Sequence, residues 1–247
     1  MTPLLNVSGL CKHFGGLSAN EDVSFAVARG EIVGLIGPNG AGKTTLFNCL
    51  AGFYAPSAGS IEFDGELLTR LTPERAAKRG IARTFQIVRT FASMTACENV
   101  MVGAMIRSKR VAEARSLATD TLAFVGLSER ATTIAGTMTV AEQRRLEVAR
   151  ALATGPKLLL ADESLGGLDE TEMGQAADML RKIRDELGIT IIWVEHIMGV
   201  LMRVVDRVMV LDHGEKIAEG SPAEVRTNPR VIEAYLGTGA SNEMQSA

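Results

Sequence analysis

Short apolar runs of strand length recur along the chain, separated by amphipathic stretches. Four of these runs, at residues 31–36, 158–161, 189–194 and 207–211, contain few polar side chains. Runs of this kind are typical of buried strands, and the run at 158–161 is typical of a strand in a parallel sheet. Segments with helical spacing of apolar residues lie between them. The pattern therefore predicts an α/β fold with a mixed or parallel central sheet.

The N-terminal part follows a different pattern, that of an antiparallel sheet. Residues 4–35 contain short apolar segments separated by turn signals at 20–22 and 28–30. The segment 60–63 is followed by an Asp-Gly turn signal and adds a further strand. We therefore predict a small antiparallel β layer beside the α/β core.

Helical signals are concentrated between about residue 88 and residue 155, where we predict helices over 111–124 and 141–153. The helices predicted elsewhere cover residues 43–50, 72–80, 169–187, 222–226 and 229–235. Thr72 followed by Pro73 is a helix start signal, and Gly80 is a stop signal. The residues from 237 to 247 are small and polar, and we expect them to fray.

Composition narrows the functional classes. The net charge of −3 gives no overall basic field for nucleic acid, although the pair Arg144-Arg145 is a local basic cluster. The three cysteines show no metal-ligand spacing, so we expect reduced thiols. No secretory signal is evident, and no apolar stretch approaches the roughly 18 residues that a membrane span requires. We expect a soluble protein that is able to bind a membrane protein.

A phosphate-binding loop follows the first buried run. Residues 37–44 fit the pattern Gly-x-x-x-x-Gly-Lys-Ser/Thr, between a predicted strand and a predicted helix. Backbone N–H groups and the helix dipole are expected to bind phosphate, Lys43 to reach the terminal phosphates, and Thr44 to bind Mg²⁺. The predicted ATP-binding residues of this loop are Gly37, Pro38, Asn39, Gly40, Ala41, Gly42, Lys43, Thr44 and Thr45. The alternative is a glycine-rich turn that binds nothing.

Two carboxylates follow the buried run at 158–161. Asp162 and Glu163 are therefore expected at the carboxyl end of a strand, where ligands bind in parallel sheets. Asp162 is predicted to hold Mg²⁺ through its water shell, and Glu163 to polarise the attacking water. The alternative is an acidic pair that caps the next turn.

With these motifs in place, the chain resembles the ATP-binding cassette (ABC) ATPases over nearly its whole length. The further stretches that carry the resemblance are Phe14 within 12–16, Gln86 within 83–86, Asp169 within 167–169 and His196 within 194–196. The resemblance implies a single ABC ATPase domain over 1–237 and a flexible tail at 238–247. Its expected parts are a β subdomain at about 4–35 and 57–70, a helical subdomain at about 88–155, and a C-terminal extension at about 215–237.

The resemblance also assigns roles to these four residues. Gln86, in the Q-loop, would contact Mg²⁺ and the attacking water, and His196 would contact the γ-phosphate. Asp169, in the D-loop, would face a second ATPase subunit. Phe14 would stack on adenine, since an aromatic face can hold a base without hydrogen bonds. Taken alone, Gln86, His196 and Phe14 each have a structural alternative, which for Phe14 is a place in the core.

The signature motif of the family, Leu-Ser-Gly-Gly-Gln, is altered in this chain. Thr139, Val140, Ala141 and Glu142 occupy the corresponding positions after Met138. Thr139 keeps a hydroxyl for the γ-phosphate. Glu142, however, places a carboxylate near an anion, which is unfavourable unless that carboxylate is turned away or paired. Ser164 stands where the family usually has proline after the glutamate. In this family the signature acts in trans, on the nucleotide held by the other subunit. A homodimer would carry the altered signature in both of its sites, so we expect pairing with a non-identical ATPase.

Several stretches are similar to the importer ATPases for branched-chain amino acids, namely 14–17, 47–54, 83–91, 218–222 and 228–237. This similarity implies two different ATPases, two membrane permease subunits and a periplasmic binding protein, with the chain on the cytoplasmic face of the bacterial inner membrane. ATP and Mg²⁺ would be the ligands, and no nucleic acid is expected. A coupling groove is predicted within 86–105, and its apolar candidates are Ile87, Val88, Phe91 and Met94. The alternative for these four is local core.

Other classes remain open at this point. The main alternative is a soluble ABC ATPase in DNA repair, translation or cofactor assembly. Against it, the interval between Lys43 and Asp162 leaves room only for a small helical region. A phosphate-loop kinase or GTPase is less consistent, because no guanine-reading Asn-Lys-x-Asp motif is present. A regulatory cassette, or one that forms a degenerate site in a heterodimer, is compatible with the altered signature. The transported solute is not encoded in an ATPase.

Overall fold

The fold, taken from a computed structural model that describes residues 2–68, 71–163 and 165–236, contains two sheets and a helical region. The strands are β1 (Leu5–Phe14), β2 (Leu17–Val27), β3 (Ile32–Ile36), β4 (Ala58–Phe63), β5 (Glu66–Leu67), β6 (Ile81–Arg83), β7 (Leu158–Asp162), β8 (Thr190–Val194), β9 (Arg207–Asp212) and β10 (Glu215–Gly220). The α-helices are α1 (Lys43–Leu50), α2 (Pro73–Arg79), α3 (Ala96–Ala104), α4 (Val111–Phe124), α5 (Val140–Ala153), α6 (Glu170–Leu187), α7 (Met198–Leu201), α8 (Pro222–Arg226) and α9 (Pro229–Leu236).

The central sheet has the strand order β10-β9-β3-β8-β7-β6. Strands β9, β3, β8, β7 and β6 are parallel, and β10 pairs antiparallel with β9 at one edge. Every residue of β3, β7 and β8 is buried, as their apolar runs predict. The predicted α/β fold with a mixed sheet is therefore confirmed.

Alternate residues of these strands enter two separate cores, one on each face of the sheet. Ile191 and Trp193 belong to the core that includes the helices of the helical region. Ile192 and Val194 belong to the core that includes α1 and the antiparallel sheet. The alternation follows from the period of two along a strand. Because both faces are covered, polar ligands can reach this sheet only at its edges and strand ends.

The antiparallel sheet has the order β2-β1-β4-β5, and its prediction is confirmed. Leu5, Val7 and Leu10 of β1 are buried against the core that contains Phe47 of α1. One boundary differs from the prediction. The β subdomain was expected to extend to about residue 35, whereas β3 (Ile32–Ile36) pairs with β8 and β9 in the central sheet. Strand β3 belongs to the central sheet because its backbone pairs with the buried strands β8 and β9.

The helical region contains α3, α4 and α5, with short 3₁₀ turns at Ser128–Arg130 and Ala135–Thr137 between the last two. Helix α3, which was not predicted, begins after Thr95, whose hydroxyl accepts from the Glu98 N–H while the Glu98 carboxylate accepts from the Thr95 N–H. This reciprocal capping box stabilises the helix start. The predicted coupling stretch is therefore non-helical only up to Thr95.

Most predicted helix ends agree with the structure within one or two residues. Among the described residues, no helix combines the length and apolarity needed to cross a membrane. The structural predictions for residues 237–247 and for the position of Ser164 lie outside the described residues.

Candidate functional site

The phosphate loop connects β3 to α1 in a conformation that only glycine fits. Gly37, Gly40 and Gly42 have φ values of 149°, 83° and 96°. A Cβ atom at Gly37 would lie 2.0 Å from the Leu211 carbonyl oxygen, and one at Gly42 would lie 2.3 Å from the carbonyl oxygen of Ala19. Because Gly42 is the N-cap of α1, no side chain caps the helix start. The first N–H groups of α1 are therefore available to an anion.

Lys43 is folded back onto the loop. Its Nζ donates to the carbonyl oxygens of Gly37, at 2.5 Å, and of Pro38, at 2.9 Å. Burial lowers the pKa of Lys43, and the charges of Glu163 and Asp162 oppose this shift. The ammonium group is therefore held by the loop itself.

The other predicted residues of the loop differ in accessibility. Pro38 and Ala41 are buried, whereas Thr45 is half-buried. The exposed members are Asn39, Gly40 and Thr44. The surface that the loop presents is therefore formed by its tip and by the Thr44 side chain.

Asp162 is the last residue of β7 and forms a buried ion pair with Arg83 at the end of β6. Arg83 Nη2 lies 2.6 Å from Asp162 Oδ2, and the two side chains are 7% and 5% exposed. Arg83 Nη1 also donates to Asn48 Oδ1 of α1, at 2.6 Å. The role of Arg83 is not evident from the sequence, because its partners come from β7 and α1. The only sequence signal is a charged residue at the end of an apolar strand.

Glu163 has a strained backbone and meets the predicted Q-loop residue. Its φ is 42°, in the left-handed region that non-glycine residues rarely adopt. Its N–H donates to the Val194 carbonyl oxygen at 2.9 Å. Its carboxylate accepts from Gln86 Nε2 at 2.5 Å. The structure thus brings Glu163 and Gln86 together, although they are far apart in sequence.

Two residues of α5 hold the backbone of the Q-loop. Arg144 donates to the carbonyl oxygens of Phe85, at 2.9 Å, and Gln86, at 2.7 Å. The carboxylate of Glu147 accepts from the N–H groups of Phe85, at 3.4 Å, and Arg89, at 3.1 Å. Burial raises the pKa of Glu147, against these hydrogen bonds. These contacts were not predicted from the sequence. Arg144 binds the Q-loop backbone and is therefore not part of a free basic cluster with Arg145.

His196 follows β8 and is largely exposed, with 57% of its side chain accessible. The preceding residue, Glu195, is buried and accepts from the Leu165 N–H at 2.8 Å. Burial raises the pKa of Glu195 to about 6. His196 Nδ1 lies 3.9 Å from the Glu195 carboxylate. Glu195 therefore connects the histidine segment to the segment that leads into α6.

Asp169 is the N-cap of α6. Its Oδ1 accepts from the Glu172 N–H at 2.8 Å, and the Glu172 carboxylate accepts from the Asp169 N–H at 3.1 Å. The residue is exposed, so its second oxygen is accessible to solvent or to a partner. Asp169 thus has a structural task in its own helix.

Phe14 ends β1 and is 43% exposed, outside both cores. Its ring makes an edge contact with Tyr54, at a centroid distance of 5.2 Å. The ammonium group of Lys12 lies 4.9 Å from the ring centroid. The alternative of a core phenylalanine is therefore wrong, and an aromatic face is accessible at the hairpin end.

The altered signature forms the first turn of α5. Thr139 Oγ1 accepts from the Glu142 N–H at 3.2 Å, and the Glu142 carboxylate accepts from the Thr139 N–H at 2.9 Å. Arg130 Nε lies 2.8 Å from Glu142 Oε1. The Thr139 N–H, followed by the charge of Arg130, lowers the pKa of Glu142. Val140 is exposed and Ala141 is half-buried. The carboxylate of Glu142 is thus paired within its own chain.

The oxygen donors of the site fit Mg²⁺. Thr44, Asp162 and Gln86 offer a hydroxyl, a carboxylate and an amide oxygen, the hard donors that Mg²⁺ prefers. Asp162 uses Oδ2 for Arg83, and its Oδ1 makes no hydrogen bond within the described part of the chain. An acceptor is therefore left for a metal-bound water.

Comparisons with known proteins place the chain among ABC transporter ATPases. Residues 20–166 match the ABC transporter family, and residues 215–241 match the family described as branched-chain amino acid ATP-binding cassette transporter. The chain is 42% identical over 252 residues to the high-affinity branched-chain amino acid transport ATP-binding protein BraF of Pseudomonas aeruginosa, covering 95% of this chain and 98% of that protein. It is 40% identical over 250 residues to LivG of Escherichia coli, which has the same description, again covering 95% and 98%. The fold is similar to the ADP conformation of MJ1267, an ATP-binding cassette of an ABC transporter, with a TM-score of 0.88, 29% identity, and coverage of 96% and 100%.

Proposed function

Because the chain belongs to the ABC transporter family, we propose that it is the ATP-hydrolysing subunit of an importer for branched-chain amino acids or a related small solute. The chain is homologous to BraF and LivG over 95% of its length. Its residues 215–241 match the family of branched-chain amino acid ATP-binding cassette transporters. One observation of the structure carries the proposal. Strands β3, β8 and β7 are parallel neighbours, so the phosphate loop after β3 and the carboxylates at the end of β7 lie at the same edge of the sheet, where Arg83 joins Asp162 to Asn48 of α1. A phosphate-binding loop and two carboxylates therefore converge at one end of a parallel sheet.

In the proposed reaction, ATP binds with its phosphates on the loop, and Lys43 turns from the loop carbonyls towards the terminal phosphates. Bound Mg²⁺, held through Thr44, Gln86 and the water shell of Asp162, would neutralise phosphate charge. Glu163 accepts a proton from the attacking water while the water oxygen bonds to the γ-phosphorus and the bond to the ADP oxygen breaks. His196 donates to the γ-phosphate, and Phe14 stacks on adenine.

The contact between Gln86 and Glu163 suggests how nucleotide binding is sensed. In this structure the amide of Gln86 donates to the carboxylate that would receive the water proton. Entry of the attacking water requires this amide to turn away from the carboxylate. Arg144 of α5 bonds the Gln86 carbonyl oxygen, and Glu147 of α5 bonds the N–H groups of Phe85 and Arg89 on either side of it. Movement of the Q-loop is thereby linked to movement of the helical region.

A groove beside the Q-loop is the proposed contact for the membrane subunits. Ile87 and Phe91 are 78% and 45% exposed, and Val88 and Met94 are half-buried. Local core, the alternative for these residues, is therefore wrong for the first two. A cavity of about 260 Å³ next to them is lined by residues of α2, α3, α5 and β6, including Phe85 and Phe91. An apolar helix of a permease fits such a surface.

The proposed partners are a second, non-identical ATPase, two permease subunits and, indirectly, a periplasmic binding protein. The proposed location is the cytoplasmic face of the bacterial inner membrane. The signature segment 139–142 acts in trans on the partner's nucleotide, so its alteration weakens hydrolysis in the partner's site. The capping box supports this asymmetry, because the Glu142 carboxylate accepts from the Thr139 N–H and so occupies a donor at the helix start that a γ-phosphate would otherwise use.

A reconstitution experiment tests the proposed function. The chain is assembled with its partner ATPase and permeases in proteoliposomes, and ATP-dependent uptake of labelled leucine, isoleucine and valine is measured. We expect uptake with the wild type and none with Lys43→Ala, while Lys78→Ala, an exposed residue paired with Glu74, retains it. Uptake of a different solute class would overturn the substrate assignment. Assembly without any ATP-dependent uptake would favour the soluble alternative.

A further inference from the structure

Three metal-binding side chains meet on the β1–β2 hairpin, outside the residues assigned to nucleotide. Cys11 and His13 come from β1, and Glu21 comes from β2. One ligand atom of each lies within 4.8 Å of the other two. Glu21 Oε1 is 3.6 Å from Cys11 Sγ, and Glu21 Oε2 is 3.0 Å from His13 Nε2. We propose that Cys11, His13 and Glu21 form a binding site for one Zn²⁺ ion.

Two of the donor separations are close to those of tetrahedral zinc. Bond lengths of about 2.3 Å to sulfur and about 2.0–2.2 Å to nitrogen and oxygen place neighbouring ligand atoms about 3.3–3.6 Å apart. The distance from the Cys11 sulfur to Glu21 Oε1 matches this separation, and the distance from His13 Nε2 to the other oxygen, Oε2, is a few tenths of an ångström shorter. The three ligand atoms lie within 4.8 Å of one another, so bound Zn²⁺ would draw the side chains slightly together. A thiolate, an imidazole and a carboxylate together select Zn²⁺ over the hard cations Mg²⁺ and Ca²⁺. Water would complete the fourth position.

Neighbouring groups already orient two of the three ligands. The N–H of Asp22 donates to Cys11 Sγ at 3.4 Å, from a residue in the left-handed conformation with φ 46°. Ser18 Oγ donates to Glu21 Oε2 at 2.6 Å. Outer contacts of this kind hold metal ligands in place.

The spacing of residues in the sequence does not reveal this site. Cys11 and His13 supply only two ligands, and the third depends on how β1 pairs with β2. The register between these strands shifts between Leu10 and Lys12 and again between Lys12 and His13. The chain nevertheless places Glu21 beside both residues. Bound Zn²⁺ would link the two strands one residue away from Phe14.

A metal titration of the full, tag-free chain tests the proposal. The chain is freed of metal and nucleotide, and Zn²⁺ is added in competition with a chromophoric chelator. We expect one Zn²⁺ per chain, and at least about tenfold weaker binding in Cys11→Ser and in His13→Asn, because even outer-shell changes cost about 10–100-fold in affinity. His213→Asn is the matched control, since His213 is also exposed and should leave the affinity unchanged.

Cobalt provides a second measurement. Co²⁺ in place of Zn²⁺ should give a thiolate-to-metal absorption band in the wild type and in His213→Asn, and no such band in Cys11→Ser. Hydrogen exchange should slow in the β1–β2 hairpin when Zn²⁺ is added. Circular dichroism establishes that the variants are folded. The proposal is overturned if the wild type binds no Zn²⁺, if the Cys11 and His13 variants bind it as tightly as the wild type, or if the thiolate band is absent.

Discussion

The phosphate loop and the altered signature segment both lie at the N-terminus of a helix. The two helix starts differ in whether side chains of the protein cap their backbone N–H groups. At the start of α1, the N-cap is Gly42 and no side chain caps the helix. At the start of α5, Thr139 and Glu142 form a full capping box, and Arg130 pairs with Glu142. A helix N-terminus attracts an anion through its free N–H groups and dipole. The first end is therefore open to a phosphate, and the second is occupied by its own side chains.

The two regions also differ in what builds them. The phosphate site depends on buried contacts between distant elements, such as Arg83 of β6 with Asp162 of β7 and Asn48 of α1. The signature segment depends on contacts within one turn and on one exposed arginine. A single substitution should therefore disturb the first region strongly and the second weakly.

Disruption of the buried Arg83–Asp162 pair is expected to have the largest effect, which is a loss of stability. Arg83→Met leaves the Asp162 carboxylate buried without its partner, so we expect a loss of about 3–5 kcal/mol in the free energy of unfolding. Urea denaturation of the purified chain measures it. The double variant Arg83→Met with Asp162→Asn should recover most of the loss. A loss below about 1 kcal/mol for Arg83→Met would contradict the view that buried contacts hold this region.

Glu163 gives the next largest effect. In the assembled heterodimeric complex, Glu163→Gln should lower ATP turnover at least about 100-fold, because a general base contributes about 10²–10⁴-fold and the partner's site is weak. Steady-state phosphate release measures turnover, and binding of a fluorescent ATP analogue should remain unchanged. Retention of most turnover would show that the partner's site hydrolyses ATP well, and the asymmetric arrangement would be wrong.

Glu195 gives a pH-dependent effect on stability. Its pKa is raised to about 6 from 4.5, so the folded state binds the proton more tightly than the unfolded state. Protonated Glu195 therefore stabilises the folded state. This contribution to the free energy of unfolding is complete below about pH 4.5, is lost as pH rises through about 6, and amounts to about 2 kcal/mol.

Glu195→Gln keeps an acceptor for the Leu165 N–H without the charge. We expect the variant to be more stable than the wild type at pH 8, and the gain to vanish near pH 4.5. Thermal unfolding across this range checks the effect. A gain that does not depend on pH would show that ionisation of Glu195 is not its source.

Restoring the signature should have a smaller effect, confined to the partner's site. The triple change Val140→Gly, Ala141→Gly and Glu142→Gln, made in the Glu163→Gln background, isolates turnover at that site. We expect turnover to rise about tenfold, since donors aimed at a transition-state oxyanion are worth at least this much. Phosphate release is measured again. Unchanged turnover would indicate that the signature segment does not limit the partner's site.

Disruption of the Arg130–Glu142 pair at the signature is expected to have the smallest effect on stability. It is the surface comparison for the buried Arg83–Asp162 pair. Arg130→Ala removes the partner of Glu142, but Arg130 is 54% exposed. We expect a loss of at most about 1 kcal/mol in the free energy of unfolding, as for other surface pairs. Urea denaturation of Arg130→Ala beside Arg83→Met compares the two regions directly. Equal losses would contradict the contrast between them.

The sequence by itself determined the elements whose signals are local. The glycine loop at 37–44 is contiguous, so its spacing predicted the structure of the loop and of α1. The buried strands β3, β7 and β8 were evident from their apolar runs, because strands covered on both faces tolerate few polar residues. The place of β3 in the central sheet was settled only by its pairing with β8 and β9.

Only the tertiary structure decided the contacts that join distant segments. The Arg83–Asp162 pair, the Q-loop clamp formed by Glu147, and the approach of Glu21 to Cys11 each require strands or helices to meet in a particular register. None of these pairings leaves a spacing in the sequence, because the partner residues come from different elements. Propensity and periodicity act over a few residues, whereas the position of a side chain relative to a distant one is set by the packing of the whole core.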